Sequence, residues 1–448
     1  MLRKTVVADM TCTKCNRGIM RGAVSLCAVL AAFCVCVALV PQRAHADDNG
    51  GVSVLFVGNS LVHYNNVGVP KMLEPIARAN GEKVVVDYVA IRGAYLADYA
   101  YGGADVPEQK RSFLTKLRKR EWDYVVLEDY STLTAAAPLT RMYAALRDAA
   151  KIVRREQPGA EILLYETHGY RNGKKTFVNG AWRVLSASEL QLRTQAAYEV
   201  VGERLGLRTV PVGMYFNRHS VRFPKDSLLI GDRRHPSRAG YYLAACGFYR
   251  ALFGRAPARA AAGFRVPGAR EQKRLASSVK ADAAMSPSSL ALAVGKSGRV
   301  RASLGKRSFK YASLNPRIAQ VRADGTVHVV SDGITVVYAQ AADGTRAACL
   351  VSVERASLMR EKLRFPRGAL SLTVGKRADS GLRISAAVRK PRLVWRSSNP
   401  SVASVNAAGH VSALSPGAAT LTVRDSATGA TARRHVRVHG GAGYASAI

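Results

Sequence analysis

The segment VSVLFVGNS, residues 52–60, decides how the rest of the chain reads. Apart from Ser53, its first six residues are apolar, and three of them are valine. A β-branched run with almost no polar alternation is what a strand covered on both faces requires. Four further runs share that texture: KVVVDYVA (83–90), WDYVVLED (122–129), AEILLYETHG (160–169) and LRTVPVG (207–213). Helix-like segments separate them at 69–81, 108–121, 140–159 and 186–206, and a last one follows at 237–254. Gly81, Gly206 and Gly254 stand where those helices should stop. Strand–helix alternation of this kind predicts a three-layer α/β/α sandwich around a parallel sheet.

The chain has 448 residues, 48% of them hydrophobic, so two or three packed domains are expected and wholesale disorder is excluded. Residues 1–46 read as a secretory signal: a basic start, an uncharged apolar run from Ala23 to Val40, and Ala44-His45-Ala46 before Asp47. A retained membrane anchor is the other reading of the same run. Five of the seven cysteines lie in that segment. Cys246 and Cys349 remain and fall in different predicted domains, so no disulfide is expected. Cys12-x-x-Cys15 lacks a second ligand pair, and no other spacing suggests a metal site.

Charge is lopsided. The formal net charge is +36, and residues 255–448 carry 32 Lys/Arg against nine Asp/Glu. Such a field favours anionic partners. For an exported chain, anionic cell-wall polymer is the expected one, and a merely solvated basic surface is the plain alternative. Nucleic acid ranks last, because the basic residues are scattered through strand-like segments without a binding motif.

After residue 254 the texture changes. An Ala/Arg/Gly-rich linker with a possible short helix covers 255–285. Beyond it, YASLNPRIAQVRADGTVHVVSDGITVVYA (311–339) aligns without gaps on WRSSNPSVASVNAAGHVSALSPGAATLTV (395–423). Asn315/Asn399, Pro316/Pro400, Val327/Val411 and Gly333/Gly417 match. Short strands with turn residues, repeated, predict two all-β sandwiches at 286–354 and 365–439. The second copy resembles bacterial Ig-like domains of group 2. That resemblance implies a spacing or adhesive role.

The chemistry concentrates at two places. Gly58-Asn59-Ser60 follows the first strand, at the sheet edge where α/β sites form. Alone it is also ordinary turn chemistry. Residues 230–249, IGDRRHPSRAGYYLAACGFY, place Asp232 three residues before His235. A serine needs a base to take its proton, and the base needs a group to fix its tautomer. An aspartate three residues ahead of a histidine can turn back on Nδ1 and leave Nε2 for Ser60.

These blocks resemble the SGNH (GDSL-like) hydrolase superfamily over about residues 51–254, and in particular an uncharacterised bacterial subfamily with a Gly-Asn-Ser first block. The resemblance implies a flavodoxin-like α/β/α domain at 47–254 and a serine esterase with Ser60, His235 and Asp232 as catalytic residues. It implies an oxyanion hole from the amides of Ser60 and Gly93. The third block, normally an asparagine, is Glu128-Asp129-Tyr130 here, which leaves Glu128, Asn65, Asn66 or Tyr130 as substitute donors. Asn59, His63, Tyr64, Tyr130 and His168 are candidates to line the cleft. Trp182 and Tyr170 are candidates for a sugar-binding rim. The expected substrate is an acyl ester, O-acetyl on carbohydrate included, with no cofactor. The rival expectation is a secreted or surface-bound adhesion protein whose α/β domain has lost catalysis.

Overall fold

The computed structural model describes residues 51–100, 108–263, 267–352, 363–384, 393–425 and 430–440. The expected signal segment lies outside them. In chain order the α/β region contains β1 (Val52–Gly58), β2 (His63–Tyr64), β3 (Val67–Gly68), α1 (Val69–Ala79), β4 (Val84–Ala90), α2 (Leu96–Ala100), α3 (Glu108–Leu117), β5 (Tyr124–Leu127), α4 (Ser131–Thr134) and α5 (Thr140–Glu156). It continues with β6 (Glu161–Glu166), β7 (Lys174–Val178), β8 (Ala181–Leu185), α6 (Ala187–Leu205), β9 (Arg208–Pro211), α7 (Val212–Arg222), α8 (Arg238–Phe253) and α9 (Ala269–Ala276).

The main sheet has the order β4-β1-β5-β6-β9, and every neighbouring pair is parallel. Strand β1 is internal to the sheet and six of its seven residues are buried, which is why its sequence is apolar apart from Ser53. The chain winds first to one side of β1 and then to the other. The crevice beyond the ends of β1 and β5 is therefore the topological switch point. Helix ends follow local chemistry. Ser186 Oγ accepts from Glu189 N at the start of α6, and Ser237 Oγ from Gly240 N at the start of α8. Gly206 and Gly254 end these helices with φ of 63° and 73°.

Three segments differ from the sequence expectation. The strand expected at 207–213 stops at Pro211 and gives way at once to α7, whose Val212, Met214, Tyr215 and Phe216 are buried. An unexpected antiparallel hairpin, β7–β8, turns through Asn179 and Gly180, both at positive φ. The linker is not a loose connection. Ala258 N and Arg259 N donate to Asn80 Oδ1, Tyr242 donates to Gln272, and Arg274 pairs with Asp226. Its helix ends at Ala276, short of the expected 285, and residues 284–286 form a strand against 301–303.

Each C-terminal module is a four-stranded and a three-stranded sheet around its own buried cluster. The repeat is exact in register. Tyr311 faces Ala339 as Trp395 faces Val423, and Ala319 faces Val329 as Ala403 faces Ala413. The first module shares the α/β core: Ile334, Val336, Ala348 and Leu350 belong to its buried cluster. Asn217 Nδ2 donates to Gly344 O at 2.6 Å, and buried Arg218 reaches Thr345 and Ser278. The second module is tied to α5 by Arg141 and Asp425, 2.5 Å apart and 7% and 0% exposed. Cys246 and Cys349 are free and buried.

That buried pair gives the first testable outcome. Arg141→Met leaves Asp425 charged and buried without its partner, so stability should fall by about 3–5 kcal/mol. The double variant Arg141→Met/Asp425→Leu should recover most of that loss. Urea unfolding of the two variants beside the parent measures the difference.

Candidate active site

Strand β1 ends at Gly58, and the next two residues are fixed from several sides. Asn59 N donates to Glu128 Oε2 at 2.8 Å, and Asn59 Nδ2 to Glu128 Oε1 at 3.0 Å. Asn59 Oδ1 accepts from Leu61 N, closing an Asx turn. Tyr99 Oη donates to Gly58 O at 2.6 Å, and Tyr241 Oη to Ser60 O at 2.7 Å. Two tyrosine hydroxyls thus hold the carbonyls on either side of Asn59. A Cβ on Gly58 would lie 2.4 Å from Glu128 Oε2, so the close approach of that carboxyl needs glycine there.

The second half of the site is the loop ahead of α8. His235 Nε2 lies 2.9 Å from Ser60 Oγ, and His235 Nδ1 lies 2.5 Å from Asp232 Oδ2. The other oxygen of Asp232 accepts from Arg234 N and His235 N, each at 2.9 Å. Arg233 takes φ of 58° to close this turn. Burial works to raise the Asp232 pKa, but the bonds from His235 and the two amides outweigh it and hold the carboxyl at about 2. Asp232 is then an acceptor on Nδ1–H, and Nε2 is left to accept the Ser60 hydroxyl proton. His235 is 2% exposed, and its ring lies parallel to Tyr64 with centroids 4.0 Å apart. Arg92 lies over the Tyr64 ring at 4.9 Å.

The remaining sequence candidates fall into two groups. Gly93 sits in the turn after β4 with φ of 70° and open space beside it. Among the described residues, neither its amide nor that of Ser60 has a protein acceptor. Tyr130 is half-buried against Tyr95, with ring centroids 4.7 Å apart. Asn65 and Asn66 form the positive-φ turn of the β2–β3 hairpin.

Glu128, His168 and Tyr170 need correction. Glu128 is wholly buried and both its oxygens accept from Asn59, so it positions the serine loop from beneath the site surface. Its burial drives its pKa well up. His168 is 2% exposed and stacks on Phe216; its Nε2–H donates to Arg234 O at 2.8 Å. Burial pulls its pKa down to about 4, so it stays neutral and supports the Asp232–His235 loop from beneath. Tyr170 is buried, whereas Trp182 is 57% exposed. His63 stacks on Tyr88 at 4.5 Å, and burial, with Lys71 nearby, lowers its pKa.

Sequence reading missed the roles of Tyr99, Tyr241 and Asp129. Asp129 Oδ1 accepts from Leu96 N and Tyr130 N, and Asp129 N donates to Tyr198 Oη. This ties the end of β5 to α2 and α6. Among the described residues no cluster of His, Cys, Asp and Glu is placed to hold a metal ion.

Residues 381–436 match the bacterial Ig-like domain (group 2) family. No curated protein matches the chain. Among solved structures, a DUF4886 family protein from Bacteroides uniformis is 16% identical and covers 51% of this chain and 93% of its own, with a TM-score of 0.41. A candidate GDSL-like lipase from Parabacteroides merdae is 16% identical, covers 45% of this chain and 95% of its own, and has a TM-score of 0.32. The surface layer protein SbsC, domains 1–6, is 18% identical over 32% of this chain and 22% of its own, with a TM-score of 0.16.

Burial, the largest influence, raises the Asp129 pKa to about 6 from 3.8. The folded chain therefore keeps this proton to a higher pH than the unfolded chain does. Unfolding releases it between about pH 4 and 6, so its contribution to stability falls as pH rises through that window. Asp129→Asn keeps the Oδ1 acceptor and removes the titration. Relative to the parent, the variant should gain about 2–3 kcal/mol between pH 4 and pH 7. Urea midpoints across that range test it, and a constant difference would refute it.

Proposed function

We propose that this chain is an exported serine ester hydrolase. One observation carries the reading: Ser60, His235 and Asp232 stand in a continuous hydrogen-bonded line, from loops 175 residues apart in sequence. Ser60 Oγ attacks the acyl carbonyl while His235 Nε2 takes its proton. As the C–O bond of the ester breaks, the same proton passes to the departing alcohol. Water then attacks the acyl-serine, His235 takes a proton from it, and the carboxylic acid leaves with Ser60 restored. Asp232, charged above about pH 2, stabilises the imidazolium in both steps. The free amides of Ser60 and Gly93 are the oxyanion donors. Glu128, which stands where the resembled family has its side-chain amide donor, is committed to Asn59. Lacking one oxyanion donor costs about 10²–10³ in rate.

Tyr64 has a further part in this reading. A parallel ring against His235 leaves the imidazole one plane in which to swing, and its π face favours the imidazolium. The substrate is an acyl ester, and an O-acyl group on carbohydrate or cell-wall polymer is the form proposed. Export rests on the signal-like residues 1–46, and retention at an anionic wall on the basic C-terminal half. A surface adhesion protein with a degenerate site is the second reading, supported by Glu128 standing in place of the family's amide donor and by the Ig-like modules.

p-Nitrophenyl acetate hydrolysis separates the two. Turnover should be measurable in the parent and fall to background in Ser60→Ala. Asp232→Asn should lower kcat by about 10²–10⁴ by giving His235 the wrong partner. Equal rates in the parent and Ser60→Ala, on this and on acylated polysaccharide, would sink the hydrolase reading and leave the adhesive one.

A further inference from the structure

The β7–β8 hairpin has no part in the catalytic line, yet it starts beside it. Arg171 N donates to Arg233 O at 2.9 Å, and Arg233 reaches Asn172 Oδ1 at 3.3 Å. Strand β7 begins two residues later at Lys174. The hairpin's register pairs Lys175 with Val184 and Phe177 with Trp182. Alternation puts those four side chains on one face. On the opposite face Thr176, Val178 and Leu185 are wholly buried, while Ala181 and Arg183 are exposed.

The outer face is not covered. Trp182 is 57% and Val184 74% exposed. Phe177 meets Trp182 edge to face at 5.7 Å, and Lys175 Nζ lies 6.0 Å from the Trp182 ring centre. The hairpin is fixed at both ends and at its side. Its tip is held by Asn179, which bonds both N and O of Ile334 in the first Ig-like module at 3.0 Å each. Its flank is held by Ala137 N on Phe177 O at 3.2 Å. A rigid element that keeps an indole and an isopropyl group in water forgoes burial that folding otherwise favours.

The charges around this face share one sign. Among the described residues, Lys174, Lys175, Arg171, Arg233 and Arg234 have no carboxylate partner, and neither has Arg92 across the site beside Tyr64. Glu189 is paired with Arg183 and Arg193, and Asp232 with His235. The face therefore offers stacking surface and uncompensated cations in one strip. A strand rise of about 3.3 Å per residue puts Trp182, opposite Phe177, about 10 Å from the Lys174 end.

We propose that the outer face of the β7–β8 hairpin is a binding subsite for an acidic polysaccharide whose acylated residue lies at Ser60. Sugar rings stack on Trp182 through their C–H faces. Carboxylates along the chain meet Lys175 and the arginines that lead to His235. The first Ig-like module braces this platform through Asn179. The proposal deepens the esterase reading and rests on it for the position of the scissile ester.

The test uses the full chain and two forms of one polymer: acetylated polygalacturonate, and the same preparation with its carboxyl groups amidated. Acetate release should favour the charged form by about tenfold or more in kcat/KM at low salt, and salt should erase the preference. Trp182→Ala should lower the ratio of polymer to p-nitrophenyl acetate kcat/KM by about tenfold, through KM. The side chain is exposed, so the variant has no core to lose. Binding of unacetylated polygalacturonate in affinity electrophoresis should weaken in Trp182→Ala and persist in Ser60→Ala. Unchanged binding in Trp182→Ala overturns the platform, as does equal activity on the amidated polymer. Tighter binding to single-stranded DNA, or a changed oligomeric state in Trp182→Ala, overturns it as well. If the binding result holds while Ser60→Ala alters no turnover, the platform stands and the esterase reading is the part that fails.

Discussion

A carboxyl group with no access to water holds the serine loop in place. Glu128 receives the backbone and side-chain amides of Asn59 together, and each bond lies inside the sheet edge where no solvent competes. Burial keeps the group toward its neutral form, so the fold avoids the larger cost of an isolated buried charge. The approach demands a glycine at 58, where a Cβ would strike the carboxyl. It also demands that β1 and β5 end in step, which their parallel register provides. This junction, with Tyr99 and Tyr241 on the flanking carbonyls, presents Ser60 to His235.

The same economy governs the second half of the site. The Asp232–His235 loop is largely exposed on its outer side, but its inner side rests on His168, and His168 rests on Phe216 of α7. Helix α7 is in turn fixed by Asn217 and Arg218 to the first Ig-like module. The module that sequence reading treats as a separate appendage is therefore packed against the element that supports the base. Its Ile334 and Leu350 sit in the α/β core cluster, so removing it would expose apolar surface and take Thr345 from the buried Arg218 guanidinium.

Much of this was legible in the residues. Strand β1, the helix-ending glycines and the repeat with its 84-residue offset all follow from patterns that local physics enforces, and the structure places each within a residue or two. The pairing of Ser60 with His235 was legible as chemistry, because two such fragments have little other reason to share an α/β chain. What escaped had no local signature. Tyr99 and Tyr241 lie in apolar segments, where a buried aromatic explains itself, and only the folded chain reveals where their hydroxyls point. Glu128 read as a deficient donor because sequence shows its charge and not its burial. The β7–β8 hairpin was different: Asn179-Gly180 between β-rich runs is a strong two-residue turn signal, overlooked because the segment lay inside an α/β alternation.

Among the described residues, buried polar contacts rather than a disulfide fix the modules to one another. Each interdomain contact carries a polar anchor inside an apolar surround: Arg141 with Asp425, Arg218 with Thr345, Asn179 with Ile334. Such anchors add little net stability, since removing charge from water nearly cancels the attraction. Their effect is on geometry. An apolar interface tolerates sliding by a fraction of a side chain, but a guanidinium that must meet one hydroxyl or one carboxylate does not. A fixed register between the α/β domain and the first module is what allows the hairpin, pinned by Asn179 at its tip and Arg233 at its root, to hold an aromatic face in water at constant distance from Ser60.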